Sequence, residues 1–242
     1  MAVPLVENGS AIVLAGGESR RMGREKALLE IAGRTLVEQM LGALRGLFPE
    51  LVVSVAHSGP SPRLQRELTH FEREYDGEFR VVPDPEDGQG PLAGLGAALE
   101  ATSHDLSLVL AIDTPHVFLP LIDLLWREAE GSEAGGCVPV FERRVQPLFA
   151  VYSRRVLGYI HKLLSIGDLK LCSLAESAAV RQLDLSGAAQ RRALFPSAAA
   201  SFDSAVFLRR LFQSLNTEAD YEDWKRVAAS FSVPQPNTET EP

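Results

Sequence analysis

The chain has 242 residues, 45% of them hydrophobic and 23% charged, enough to bury a sizeable core, and it carries no linker that would split it. A formal net charge of −8 argues against a general nucleic-acid or anionic-membrane binder, since such surfaces reward an excess of Lys and Arg. No run approaches the ~18 apolar residues of a membrane span and the first ten residues have no basic start, so a cytoplasmic protein is expected.

In chain order, short β-rich runs alternate with amphipathic stretches. That is the pattern of a parallel sheet with crossover helices. Strands are predicted over 11–15, 51–55, 79–82, 106–112, 136–140, 146–151, 180–185 and 211–215. Between the first two, Thr35 and Glu38 form a capping box, followed by Leu36, Val37, Met40, Leu41, Leu44 and Phe48 at helical spacing. Pro91 suits the first turn of a helix carrying Leu92, Leu95, Ala98 and Leu99. Thr217 and Asp220 cap a last helix through Trp224 and Val227. The stretch 186–204, rich in Ala, Ser and basic residues, reads as an insertion or mobile loop. Residues 231–242, polar with several prolines, read as a disordered tail.

The most informative segment is Leu14-Ala15-Gly16-Gly17-Glu18-Ser19-Arg20-Arg21-Met22-Gly23-Arg24-Glu25-Lys26. Gly16 and Gly17 let a ligand approach bare backbone N–H groups, and Arg20, Arg21, Arg24 and Lys26 make the turn locally positive. A P-loop is excluded, because Gly23 is followed by Arg24 and Lys26 by Ala27. A G-x-G-x-x-G dinucleotide fingerprint fits none of these glycines. Cys137 and Cys172 lack a partner spacing for zinc or redox work and read as buried free thiols. The histidines at 57, 70, 104, 116 and 161 form no ligand spacing and read as surface or packing residues.

The segment resembles the nucleotidyltransferase signature L-A-G-G-x-S-x-R-M-G-x-x-K, and within that group it is most similar to the molybdenum cofactor guanylyltransferase (MobA) family. Further matches follow in order: Asp84, Gly90-Pro91-Leu92-Ala93-Gly94, Asp113-Thr114-Pro115, Gln146-Pro147-Leu148-Phe149 and Leu215-Asn216-Thr217. Together they span roughly residues 11–229, and a single MobA-like nucleotidyltransferase domain over 11–230 is expected. The resemblance implies a three-layer, Rossmann-like α/β fold, an open, mostly parallel sheet with helices on both faces, of the nucleotide-diphospho-sugar transferase type.

The activity so implied is transfer of GMP from GTP to the terminal phosphate of molybdenum-molybdopterin, with pyrophosphate leaving and Mg²⁺ as cofactor. Arg21, Lys26 and Asp113 would be catalytic, Arg21 and Lys26 on the triphosphate and Asp113 on the metal. Leu14, Ala15, Gly16, Gly17, Lys26, Asp84 and Asp113 would bind nucleotide, and Asn216 would lie on the acceptor side. Proteins that insert molybdenum, and molybdoenzymes that receive the product, are the implied protein partners; nucleic acid and membrane are not.

The sequence departs from the family at three places. The asparagine expected after the second strand is missing from Ser54-Val55-Ala56-His57. The N-x-N-T motif keeps only its second asparagine, Asn216, and Gly167-Asp168-Leu169-Lys170 carries a lysine where arginine is usual. Three alternatives stay open: a molybdenum cofactor cytidylyltransferase, a sugar-phosphate nucleotidyltransferase, or a non-catalytic molybdopterin- or nucleotide-binding module. Gly16-Gly17 and the Gly90 to Gly94 motif favour guanine; intact Arg21, Lys26 and Asp113 favour catalysis.

Overall fold

A computed structural model describes residues 6–16, 25–86, 90–114, 116–195 and 203–228. The run Ser-Ala-Ile-Val-Leu has no polar alternation, as expected of a strand covered on both faces, and it forms β1 (Ser10–Leu14), buried throughout. A turn of 3₁₀ helix (Lys26–Leu28) and a small antiparallel pair, β2 (Glu30–Ile31) and β3 (Arg34–Thr35), lead into α1 (Leu36–Leu44). The capping box is present: Thr35 Oγ1 accepts from the Glu38 N–H at 3.3 Å and Glu38 Oε2 accepts from the Thr35 N–H at 2.8 Å. Such a cap contributes about 1 kcal/mol.

Strand–helix alternation continues through β4 (Glu50–Val55), α2 (Pro62–Glu74), β5 (Glu78–Pro83), α3 (Gly90–Ala101), β6 (Leu106–Ala111), α4 (Leu119–Glu130) and β7 (Gly136–Phe141). Then come β8 (Arg144–Val145), β9 (Phe149–Ser153), α5 (Leu157–Ser165), α6 (Leu171–Ala175) and β10 (Arg181–Asp184). Three helices close the described chain: α7 (Ala188–Leu194), α8 (Ser204–Leu211) and α9 (Glu218–Ala228).

The main sheet runs β10-β7-β9-β6-β1-β4-β5, with β8 paired to β7. β1, β4, β5 and β6 are mutually parallel, as are β7 and β10, while β9 lies antiparallel between β6 and β7. Side-chain alternation sends Ala11, Val13, Leu51, Val53, Leu108 and Leu110 to one face, into a core with α1 and α4. Ile12, Leu14, Val52 and Val109 go to the other, into a second core with α3 and α5. The three-layer, mostly parallel open sheet expected from sequence is therefore the observed architecture.

At the amino ends of the strands a polar knot fixes the register. Glu50, fully buried, accepts from Ser10 Oγ and Arg80 and from the Ser103 N–H at 2.9 and 3.1 Å. The carboxyl ends are left for the loops that carry the motifs.

Four expectations need correction. Residues 211–215 are not a strand: Leu211 ends α8, whose Asp203 cap accepts from the N–H groups of Ala205 and Val206, and Leu208, Leu211 and Leu215 bury one face. The strand expected from 146 begins at Phe149, because Pro147 has no N–H for a ladder. Within the expected loop at 186–204, Ala188–Leu194 is helical, and 196–202 lies outside the described residues, as does the expected tail. Cys137 is buried but Cys172 is exposed, since the short α6 turns Leu171, Leu174 and Ala175 inward instead. Among the described residues no helix is long and apolar enough to cross a membrane.

Candidate active site

The strand order β5-β4-β1-β6 brings the ends of four parallel strands side by side, so each predicted motif emerges on one edge of the sheet. Leu14 ends β1; its carbonyl accepts from Ile112 N–H at 3.1 Å, and the Ala15 N–H donates to the Ser54 carbonyl at 2.8 Å. Gly16 follows as the last described residue of this loop. Gly17 and Arg21, with Arg20 and Arg24, lie outside the described residues, as does Pro115.

Asp84 follows β5, its N–H donating to the Val55 carbonyl at 2.8 Å, and its carboxylate leans back over the neighbouring loops. A β-carbon on Gly16 would come 2.6 Å from Asp84 Oδ2 and 3.1 Å from the Val55 carbonyl carbon. One on Gly94, in the first turns of α3, would come 2.6 Å from Asp84 Oδ1 and 3.1 Å from Ser54 Oγ. Ser54 Oγ donates to Asp84 Oδ1 at 2.7 Å, and His57 Nδ1 lies 3.0 Å from the Asp84 carbonyl. Gly16 and Gly94, 78 positions from each other in sequence, thus admit one carboxylate between them. The start of α3 also meets the 167–170 segment: a β-carbon on Gly90, whose φ is +68°, would stand 3.4 Å from the Leu169 carbonyl oxygen.

On the other flank of the β1 loop, Asp113 follows β6. Lys26 Nζ donates to Asp113 Oδ2 at 2.8 Å and to Asn216 Oδ1 at 2.8 Å, joining three segments far apart in the chain. Lys26 and Asp113 side chains are 20% and 18% exposed, shielded enough that the pair is only partly screened by water. Asp113 Oδ1 is buried and accepts no hydrogen bond among the described residues. An orphaned buried carboxylate oxygen is costly, and it is the kind of atom that a hard cation satisfies. No cluster of three or more metal-ligating side chains occurs among the described residues.

The Asn216 segment is fixed by its own fold. The Leu215 N–H donates to the Asp113 carbonyl at 2.8 Å, and Asp220 Oδ2 accepts from the N–H groups of Asn216 at 3.1 Å and Thr217 at 2.8 Å. The Thr217 hydroxyl foremost, then those N–H groups and the charge of Lys26, hold the Asp220 carboxyl below its ordinary range despite burial. Nearby, the His116 ring packs against Trp224, centroids 4.6 Å apart and tilted by 39°; burial, and secondarily the charge of Arg210, push its pKa down to about 4.

Of the predicted site residues, the structure therefore gathers Lys26, Asp113 and Asn216 in one cluster and Gly16 and Asp84 in another, with Leu14 at the end of β1 and Ala15 just after it. Asn216, expected on the acceptor side, reaches Lys26. Ser54, which orients Asp84, was not singled out as a site residue from sequence. Its only signal was its place at the end of a buried strand, where a hydroxyl needs a partner.

The model of the MobA-like NTP transferase domain family matches residues 11–183. A probable molybdenum cofactor guanylyltransferase of Methanosarcina acetivorans is 41% identical over 156 residues, 63% of this chain and 67% of the relative. The molybdenum cofactor guanylyltransferase of Syntrophotalea carbinolica is 30% identical over 229 residues, 95% of this chain and 96% of the relative. Among solved structures, molybdopterin-guanine dinucleotide biosynthesis protein A of Archaeoglobus fulgidus superposes with a TM-score of 0.66, at 23% identity over 91% of this chain and 99% of that one. That likeness concerns the fold.

Proposed function

The chain belongs to the MobA-like NTP transferase family, and from that premise we propose that it is a molybdenum cofactor guanylyltransferase, a nucleotidyltransferase that moves GMP from GTP onto molybdenum-molybdopterin. The observation that carries the reading is the full-length match to a molybdenum cofactor guanylyltransferase, 95% of this chain, together with the meeting of Lys26, Asp113 and Asn216 at the strand ends.

The chemistry needs little from a protein base. A phosphate monoester, with a second pKa of about 6, is largely dianionic at neutral pH and attacks the α-phosphorus of GTP directly. A phosphorus–oxygen bond forms to the acceptor, the α–β bridging bond breaks, and pyrophosphate leaves with the electron pair. The difficulty is bringing two anions together, so positioning and charge neutralisation carry the catalysis.

In this reading Gly16 and Gly17 present backbone to the nucleotide beside Leu14 and Ala15. Asp84 borders the nucleotide from between Gly16 and Gly94. Lys26 and Arg21 meet the triphosphate, and the amino end of α3 adds its dipole. Asp113 would hold Mg²⁺, for which its orphaned Oδ1 fits, and the bound ion would neutralise phosphate oxygens. The same reading makes residues 11–230 one transferase domain in the cytoplasm, with GTP and molybdenum-molybdopterin as substrates and molybdenum-inserting and molybdoenzyme proteins as partners.

The test incubates the purified chain with Mg²⁺, GTP and molybdenum-loaded molybdopterin. Formation of the guanine dinucleotide and pyrophosphate is expected. Calorimetry with GTP, CTP and ATP separates the rivals: selective binding of CTP would replace guanylyl with cytidylyl transfer, and nucleotide binding without product would favour a binding module.

A further inference from the structure

We infer that Asn216 is a positioning residue for the nucleotide half of the site, acting through Lys26, and that the turn before α9 is thereby tied to the donor loop. This rests on the proposed use of Lys26 at the triphosphate.

An ammonium group on a flexible four-carbon stem has three N–H donors and no preferred direction of its own. Two of the three are committed here. Asp113 Oδ2 takes one at 2.8 Å and Asn216 Oδ1 takes another at 2.8 Å, and among the described residues the third donor has no partner, which leaves it for a ligand. Asp113 alone would let Nζ swing about a single ion pair; a second acceptor from another segment fixes its place. The amide suits the task because it is neutral: it aims the ammonium without cancelling the positive charge that a triphosphate requires.

The supports of Asn216 are themselves specified. Its N–H is held by Asp220, its neighbour Leu215 is held by the Asp113 carbonyl, and Leu215 is fully buried. Leu215 and Asn216 therefore touch both sides of one ion pair, the backbone of Asp113 and the ammonium of Lys26. A residue serving only the acceptor would need neither contact. The consequence is that Asn216 affects GTP binding with no acceptor present.

The experiment measures GTP binding by calorimetry in Mg²⁺, without molybdopterin, for the full chain and for Asn216→Ala, Lys26→Ala and the double variant. Asn216→Ala is expected to weaken GTP binding about tenfold, the loss typical of one charge-assisted hydrogen bond. In the Lys26→Ala background the same change is expected to have no further effect, because the group through which it acts is gone. Asn216→Gln, which keeps the amide, is expected to restore part of the loss, a response that mere support of the turn would not give. Unchanged GTP affinity in Asn216→Ala, or additive losses in the double variant, would overturn the inference. If Asn216→Ala fails to fold by thermal melting, Asn216→Ser takes its place with the same two criteria. Failure of the unmodified chain to bind GTP would remove the proposed function and this inference together, whereas GTP binding indifferent to Asn216 removes the inference alone.

Discussion

The carboxylate of Asp84 occupies the space that a β-carbon on Gly94 would need, with Oδ1 2.6 Å from that position. Gly16 faces the other oxygen at the same distance, so the loop after β1 and the start of α3 close on a single acidic side chain held by Ser54. The glycines are required by that approach: Gly16 and Gly94 have no positive φ to explain them.

Gly94→Ala is expected to push Asp84 aside and strain the start of α3. Overpacking at such a site costs about 1–3 kcal/mol. Urea unfolding should show a lower midpoint at an unchanged slope, and GTP affinity should fall with it. Full stability and affinity in the variant would mean that Asp84 relaxes freely.

Asp113→Asn preserves size and removes charge. Nucleotidyl transfer is expected to drop by at least ~10²-fold, in line with loss of one electrostatic element of an active site. The melting temperature should fall only slightly, because the amide oxygen can still accept from Lys26 and Oδ1 has no hydrogen-bond partner among the described residues to lose. Turnover that keeps its Mg²⁺ dependence in the variant would take Asp113 out of the metal-holding role.

Acid stability should follow Glu50. Burial alone would raise its carboxyl, but the Ser10 hydroxyl, the Ser103 N–H and His104 outweigh it and hold the group below its ordinary value of 4.5. A depressed folded-state pKa adds stability above about 4.5 that is lost as pH falls through the folded value. Glu50→Gln is expected to flatten that acid limb and to lower stability at neutral pH by roughly 1–3 kcal/mol, since Arg80 loses its buried charged partner and keeps the exposed Glu78. Denaturant curves from pH 3 to 7 for both chains check this, and parallel acid limbs would refute it.

His116 works in the opposite range. Its folded pKa near 4 lies below the ordinary 6.5, so between those values the unfolded chain binds a proton that the folded chain refuses. Stability should therefore rise with pH across about 4 to 6.5, by on the order of 1–3 kcal/mol, and level off above. His116→Gln should remove that slope. The His116 imidazole, assigned by the NMR resonance that His116→Gln removes, would contradict it by titrating near 6.5 in the folded chain.

Much of the fold was legible because local signals agreed. The run from Ala11 to Leu14 is a two-faced buried strand, Thr35 with Glu38 caps α1, and Thr217 with Asp220 caps α9. Sequence reading failed where a short apolar run suits either period: Leu211 and Leu215 pack from a helix end and its loop, and the expected strand was absent. It also missed Ser54, whose value depends on Asp84, thirty residues later.

By itself the sequence determined the chemical vocabulary of the site. Gly16, Lys26, Asp84, Asp113 and Asn216 are the residue types that approach, attract and neutralise a phosphate, and their order along alternating strands and helices placed them at strand ends. Only the tertiary structure decided the pairings: that Asp84 sits between two glycines, and that Asn216 reaches Lys26 across 190 positions of chain. Strand and helix signals are local, within a few residues of each other. A contact between loops depends instead on strand order in the sheet, which is set by packing across the whole core and written in no single segment.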